Sequence, residues 1–361
     1  TRGVADLCVF FLLRVISLLS DIGYSGLIAT TSLIEGDTRE VGLDRLKWLG
    51  AELYNASGSR NWPGSASVTY CRLWITKAKW KGQRFLNDEP VEAITSSLTR
   101  ARHLSEKPFN LSCNHRLSHQ GSVIHGQGFV LSEDEARHYM NKDPRNAEIL
   151  FPYLRGGDFT SSPTMTPQAW VINFRDWPQE KAAQYGDLYR LVVNKVKPER
   201  DQVKRAIYRE RWWQYAEKQK TLYETIAPLN RVLFHGFTTK HLAFGFVPTS
   251  YIYAAPHVVI ALQDDASFAL LQSGIHETWV RRYTSYLGQT MRYIATDVFA
   301  TFPFPEKMNH LSEIGRIYHR KRQETMLSRN EGLTSIYNSF NEPNDRSTDI
   351  VELRKLHGQL D

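Results

Sequence analysis

Trp62 sits in Asn61-Trp62-Pro63-Gly64, a tight loop between two β-rich runs. A Trp beside a Pro has little backbone freedom, so its indole is presented as a fixed plane at a strand end. Such a plane suits stacking on a planar ring such as a nucleobase. An indole that closes the core beneath a hairpin fits the same residues. A second group, Arg281-Arg282-Tyr283 followed by Gly288-Gln289-Thr290-Met291-Arg292-Tyr293, combines the side chains that read guanine and adenine edges bidentately. A third lies between Lys195 and Lys220. Cations including Arg200, Arg205, Arg209 and Arg211 interleave there with Tyr208, Trp212, Trp213 and Tyr215. That mixture suits a phosphate backbone, and equally a solvated face over an aromatic core.

Two other groupings carry less. Cys113, His115, His119 and His125 are metal-binding types, but no second Cys pair completes a tetrahedral set, so no metal site is expected. Ser273 and His276 are three apart on an expected helix. A hydrolytic nucleophile needs a strained turn and an oriented base, so capping and core hydrogen bonds explain this pair better.

These residues need elements to hold them. An apolar helix from Val4 to Leu19 leads through Gly23 and Gly26 into a strand, Gly26-Leu-Ile-Ala-Thr-Thr31. A second helix with Leu43, Leu46 and Leu49 on one stripe follows, then β-rich runs at Ala51–Asn55 and Ala66–Thr76. Residues 1–80 thus read as the C-terminal half of an α/β domain with an antiparallel ending. The charged stretch 81–115 reads as a connector. Residues 116–305 read as an α+β domain, opened by short β pieces and a capping box, Ser132-Glu-Asp-Glu135. Strands are expected at Trp170–Phe174, Arg231–Phe237, Ala243–Pro248 and His257–Leu262. Helices are expected over about 187–226 and 267–286. Residues 306–361 read as a helical tail broken at Asn341-Glu-Pro-Asn344.

Composition narrows the class. With 361 residues, 42% hydrophobic and 12% aromatic, the chain has material for two or three packed cores and is not disordered. Its net charge of +7 is a modest excess that does not by itself specify nucleic acid. Three widely spaced cysteines favour a reducing cytoplasm over a disulfide framework. The opening apolar run is interrupted by Asp6 and Arg14 and is too short to span a bilayer, so no membrane association is expected.

In order along the chain, several short motifs resemble the MmeI-like (type IIG/IIL) adenine-specific DNA methyltransferases of restriction–modification and related phage defence. Ala5-Asp-Leu-Cys-Val-Phe10 and Gly26-Leu-Ile-Ala-Thr-Thr31 are similar to the segment after that family's catalytic motif. Asn61-Trp-Pro-Gly-Ser-Ala-Ser-Val68 is similar to its base-stacking loop. Ser118-His-Gln-Gly-Ser122 and Gly126-Gln-Gly-Phe-Val-Leu131 resemble the opening of its target-recognition domain. Phe151-Pro-Tyr-Leu-Arg-Gly156, Leu271-Gln-Ser273, Thr301-Phe-Pro-Phe-Pro305, Leu333-Thr-Ser-Ile-Tyr-Asn338 and Leu353-Arg-Lys-Leu-His357 follow in the family's order. His119 stands where an aromatic is usual.

The resemblance implies a partial class I methyltransferase-like sheet, a target-recognition domain and a helical tail. It implies an enzyme that moves a methyl group from S-adenosyl-L-methionine to an adenine flipped out of double-stranded DNA. The cofactor and catalytic motifs, and a possible endonuclease domain, would precede Thr1, so this chain alone is expected to be inactive. Trp62 would stack on the flipped adenine. Gln289, Arg292 and Tyr293 would meet base edges or a groove, and Arg211, Lys240, Arg281 and Arg282 would meet phosphates. The alternative is a non-catalytic specificity module that docks on a separate methyltransferase subunit.

Overall fold

The computed structural model describes residues 5–66, 68–99, 108–287 and 290–361, with backbone only at 286 and 287. The chain forms two units. One comprises Thr1–Phe109 with Arg282–Ile294, and the other Asn110–Arg281 with Ala295–Asp361.

The first unit opens with α1 (Leu7–Leu18), capped by the Asp6 carboxylate on the Cys8 amide. The strand β1 (Tyr24–Thr30), a 3-10 turn (Thr31–Ile34), the short helix α2 (Gly36–Val41), β2 (Glu52–Asn61) and β3 (Thr69–Thr76) follow. The expected Leu43–Leu46–Leu49 helix is instead a 3-10 turn and loops. Two further strands, β4 (Arg84–Leu86) and β5 (Glu89–Val91), join the sheet in the order β1-β3-β2-β4-β5. Part of the expected connector is therefore sheet.

β3 is antiparallel to both of its neighbours, so β1 and β2 run in the same direction. One face of the sheet packs Leu53, Ala56, Cys71, Leu73 and Ile75 against Val9, Leu12 and Ile16 of α1. The register Ile28↔Arg72 and Gly26↔Trp74 puts those residues on the other face. Ile28 and Tyr24 are exposed there, as are Leu7, Phe10, Phe11 and Leu18 on the outside of α1.

The second unit starts with β6 (Ser118–Gln120), β7 (Val130–Ser132) and α3 (Glu133–Lys142). The expected capping box holds α3: Ser132 Oγ accepts from the Glu135 amide and the Glu135 carboxylate accepts from the Ser132 amide. Next come β8 (Leu150–Leu154), α4 (Gly156–Ser161), β9 (Ala169–Ile172) and α5 (Gln179–Ala182). The expected long basic helix is four short ones: α6 (Gly186–Lys195), α7 (Lys197–Asp201), α8 (Ala206–Glu210) and α9 (Lys220–Ile226). Pro198, which has no amide hydrogen, sits in the first turn of α7, and Gln219 enters α9 in a left-handed conformation.

Strands β10 (Arg231–His235), β12 (Gly245–Pro248), β13 (Ile252–Tyr253) and β14 (Val258–Ile260) complete two four-stranded sheets, ordered β12-β10-β14-β6 and β13-β8-β9-β7, while the two-residue β11 (Thr238–Thr239) lies outside both. Helices α10 (Asp265–Gln272) and α11 (Gly274–Tyr283) replace the single expected helix. A hairpin, β15 (Ser285–Leu287) and β16 (Thr290–Arg292), and the short α12 (Ala295–Val298) lead to the tail helices α13 (Leu311–Arg329), α14 (Leu333–Asn341) and α15 (Thr348–His357).

Buried polar bonds lock the tail in place. Arg322 of α13 is 1% exposed and donates to Gln272 Oε1 (3.1 Å), Tyr337 Oη (3.0 Å) and the Phe244 carbonyl. Asn114 ties the start of the unit to its later segment through the Phe299 (2.9 Å) and Phe302 (2.7 Å) carbonyls.

Candidate nucleic-acid interface

Trp62 lies at the end of β2, outside the first unit's core and 44% exposed. Its amide donates to the Val68 carbonyl (2.9 Å), and its ring meets the edge of Tyr70 at 5.4 Å and 81°. Gly64 makes the indole's position possible, because a Cβ there would lie 2.8 Å from Trp62 Nε1. The loop thus holds an aromatic plane that still faces solvent, and the core-closing reading does not describe it.

The other sequence-derived residues fall into both units. In the first, Arg282 is exposed with its guanidinium 5.6 Å from the Tyr283 ring centre. Arg292 is half-buried on β16, and its carbonyl accepts from Thr284 Oγ1. Tyr293 is 1% exposed, which corrects its assignment as a base or groove contact. A ring enclosed in the core presents no edge, and burial raises its phenol well above the usual range. Gln289 lies outside the described residues.

In the second unit, exposed Arg281 is paired with Glu277 (2.7 Å), one turn earlier on α11. A preformed pair of this kind must be reorganised before the cation can serve a phosphate. Arg211 is exposed just past α8. Lys240 is exposed and donates to Asn338 Oδ1 (2.8 Å).

That bond reveals side chains missed in the sequence. His241 Nε2 also reaches Asn338 Oδ1 (3.0 Å), and Asn341 Nδ2 lies 3.2 Å from His241 Nδ1. Asn338 and Asn341 are three apart on α14, so one helix face carries both. The helical spacing was visible, but its partner 100 residues away was not.

The basic–aromatic stretch divides. Trp212, Trp213 and Tyr215 belong to the core. Lys204, Arg205, Arg209 and Arg211 are exposed, whereas Arg200 is fully buried. Ser273 acts as a cap: its Oγ donates to the Leu270 carbonyl (2.8 Å) and accepts from the amide of buried His276 (3.3 Å). No group of three or more His, Cys, Asp or Glu residues able to hold a metal occurs among the described residues. No helix among them is long and apolar enough to cross a membrane.

The profile of the family described as MmeI, target recognition domain, matches residues 104–306. Among solved structures, the type IIL restriction–modification enzyme MmeI in complex with DNA superposes with a TM-score of 0.71 at 16% identity. That match covers 97% of this chain and 47% of that one. The type IIG restriction endonuclease BpuSI matches with a TM-score of 0.35 at 10% identity, over 98% of this chain and 48% of that one. The chain therefore spans about half the length of each. No curated protein matches significantly. The MmeI likeness fixes a mixed α/β fold with several small sheets and a helical C-terminal part.

Proposed function

The chain belongs to the family of MmeI target recognition domains, and on that premise we propose that it reads a specific sequence in double-stranded DNA for a site-specific adenine methyltransferase. The observation that carries this reading is the family match over 104–306, joined by the fold shared with a restriction–modification enzyme bound to DNA. In this proposal the first unit is the far part of the catalytic α/β domain. Apolar surface left exposed on this unit supports that role. Here Ile28 and Tyr24 on the sheet, and Leu7, Phe10, Phe11 and Leu18 on α1, are exposed. So much apolar surface is unusual unless a further layer covers it.

The target amine of adenine is enclosed in the base stack, so the base must leave the helix to react. Trp62, held by Gly64 and Tyr70, is the plane on which the extruded adenine would rest. S-adenosyl-L-methionine is the expected methyl donor. The described residues do not fit it: the passage from β1 to α2 carries one glycine, Gly36, and no glycine-rich cradle. No step is therefore assigned here to the cofactor, and the chain alone is expected to transfer no methyl group.

Arg292 is proposed to read a base, with Lys240, Arg211, Arg281 and Arg282 on phosphates. The test is DNA affinity measured against salt and sequence. Lys240→Ala should weaken all duplexes alike and lower the salt slope by about 0.9. Arg292→Ala should instead relax sequence preference. An affinity that does not change with salt, or methyl transfer by the purified chain, would overturn the reading.

A further inference from the structure

Arg200 on α7 has no exposed surface. Its Nη2 donates to the carbonyls of Ile124 (2.8 Å) and Gln214 (3.0 Å). Its Nε and Nη1 are buried without a hydrogen-bond partner, and no carboxylate among the described residues forms an ion pair with it. Burying a cation with unsatisfied donors is costly, so such a group is retained where something compensates it.

The covering above Arg200 is thin. The Tyr208 ring lies 5.5 Å from its guanidinium carbon, and the Arg205 guanidinium lies 4.7 Å from that same ring. Tyr208 belongs to α8, a helix with no buried residue. Of residues 201–211, all but Val203 and Tyr208 are exposed, and those two are half-buried. The segment is held by Arg209 on the Val203 (2.6 Å) and Lys204 (2.9 Å) carbonyls, and by Glu217, which accepts from Tyr208 Oη and Arg205 Nη1 (2.9 Å). Around this rim stand Lys204, Arg205, Arg209, Arg211 and exposed His125, whose ring is 6.1 Å from Tyr208. The opposing carboxylates are Glu217, already engaged, Glu199, which acts electrostatically on Arg200, Asp201, paired with Lys197, and Glu210.

We propose that Arg200 is the floor of a phosphate-binding pocket, that the 201–211 segment carrying Tyr208 is its movable roof, and that the ligand is a backbone phosphate of DNA. The ligand's identity rests on the DNA-recognition reading; the pocket itself does not. When the roof lifts, a phosphate oxygen accepts from donors that are otherwise unsatisfied. The exposed cations of the segment then follow the same anion.

The experiment uses the full chain, its Arg200→Gln and Tyr208→Ala variants, duplex DNA and inorganic phosphate at matched ionic strength. Arg200→Gln should flatten the salt dependence of DNA affinity by about one phosphate contact, a slope change of roughly 0.9. Tyr208→Ala should keep the wild-type slope. Inorganic phosphate should raise the melting temperature of the wild type and of Tyr208→Ala, and leave Arg200→Gln unmoved. An unchanged slope and an unchanged phosphate response in folded Arg200→Gln overturn the pocket. A phosphate response without a slope change overturns the assignment to DNA. Should Arg200→Gln fail to fold, Tyr208→Ala decides: loss of its phosphate response refutes the pocket and retention supports it. If no duplex binds at all, the functional reading fails, and the phosphate response alone decides the pocket.

Discussion

Gly315→Ala sets two well-measured effects against each other at one atom. Gly315 lies inside α13, where alanine is the better helix former by about 1 kcal/mol. The added Cβ, however, would overlap the Asp265 carbonyl oxygen at the start of α10 and stand 3.0 Å from its carbon and 3.1 Å from Ala269 Cβ. Restoring ordinary contact at ~3.5 Å requires the two helices to part by on the order of 1 Å. The obstacle is backbone, so no side-chain rotation relieves it. Overpacking of this kind costs about 1–3 kcal/mol. Parting the helices would also strain the Arg322 bonds to Gln272 and Phe244. Against the ~1 kcal/mol helix gain, a net loss of about 1 kcal/mol remains, which lowers the melting temperature by roughly 2–4 °C for a unit of this size. The control is Gly157→Ala in α4, where nothing lies within 4 Å of the new methyl. That variant should melt at or slightly above the wild type. Thermal unfolding followed by circular dichroism compares them directly. A Gly315→Ala protein as stable as the wild type would refute the close seating of the tail on α10.

Two further outcomes follow from burial and exposure. Burial holds His235 down to about 4 and His276 down to about 3, whereas an unfolded histidine takes its proton near 6.5. Between those values the unfolded chain binds more protons than the folded one. Stability is therefore full above pH 6.5 and falls as the pH drops, by about 1.4 kcal/mol per pH unit for each histidine. Urea midpoints should be lower at pH 5.5 than at 7.5, and equal midpoints would contradict this. For Trp62→Ala, the lost edge contact with Tyr70 costs only about 0.5–1.5 kcal/mol, so the fold should survive. On the proposed function, the same change should abolish stacking on an extruded 2-aminopurine in bound duplex DNA, read by its fluorescence. Unaltered fluorescence would remove Trp62 from the pocket.

Local chemistry was legible in the sequence, and distant partners were not. Ser132 and Glu135 announced α3, and the strands at 231–235, 245–248 and 258–260 lie inside the expected runs. Each depends on residues close together in the chain. β4 and β5 escaped notice because three-residue strands carrying Arg84, Glu89 and Pro90 show no alternation. They exist because β2 offers β4 a parallel edge. The basic stretch was read as one helix because cations at helical spacing do not reveal where Pro198 and Gln219 interrupt it. Arg200 and Tyr293 look like surface residues in a one-dimensional pattern. Only tertiary packing encloses them. Among the site residues, Lys240, Arg281 and Arg282 are exposed as surface cations at these positions are expected to be; the sequence left Trp62 open between a stacking plane and a core-closing ring, and gave no sign of the docking of Lys240 onto Asn338.

The chain's division between units constrains the order in which it can be made. Residues 282–294 belong with the first unit, although 110–281 intervene. During synthesis from the N-terminus, the first unit has its sheet of β1 to β5 early but waits for its last thirteen or so residues until most of the second unit has been made. The second unit in turn waits for α13, which supplies Arg322 to Phe244 and Gln272. Neither unit can finish before the other is well advanced. The long closures involved favour slow, interdependent maturation. A stalled or shortened nascent chain would leave both units incomplete, which makes the 282–294 segment a checkpoint for assembly as well as a carrier of Arg282 and Arg292.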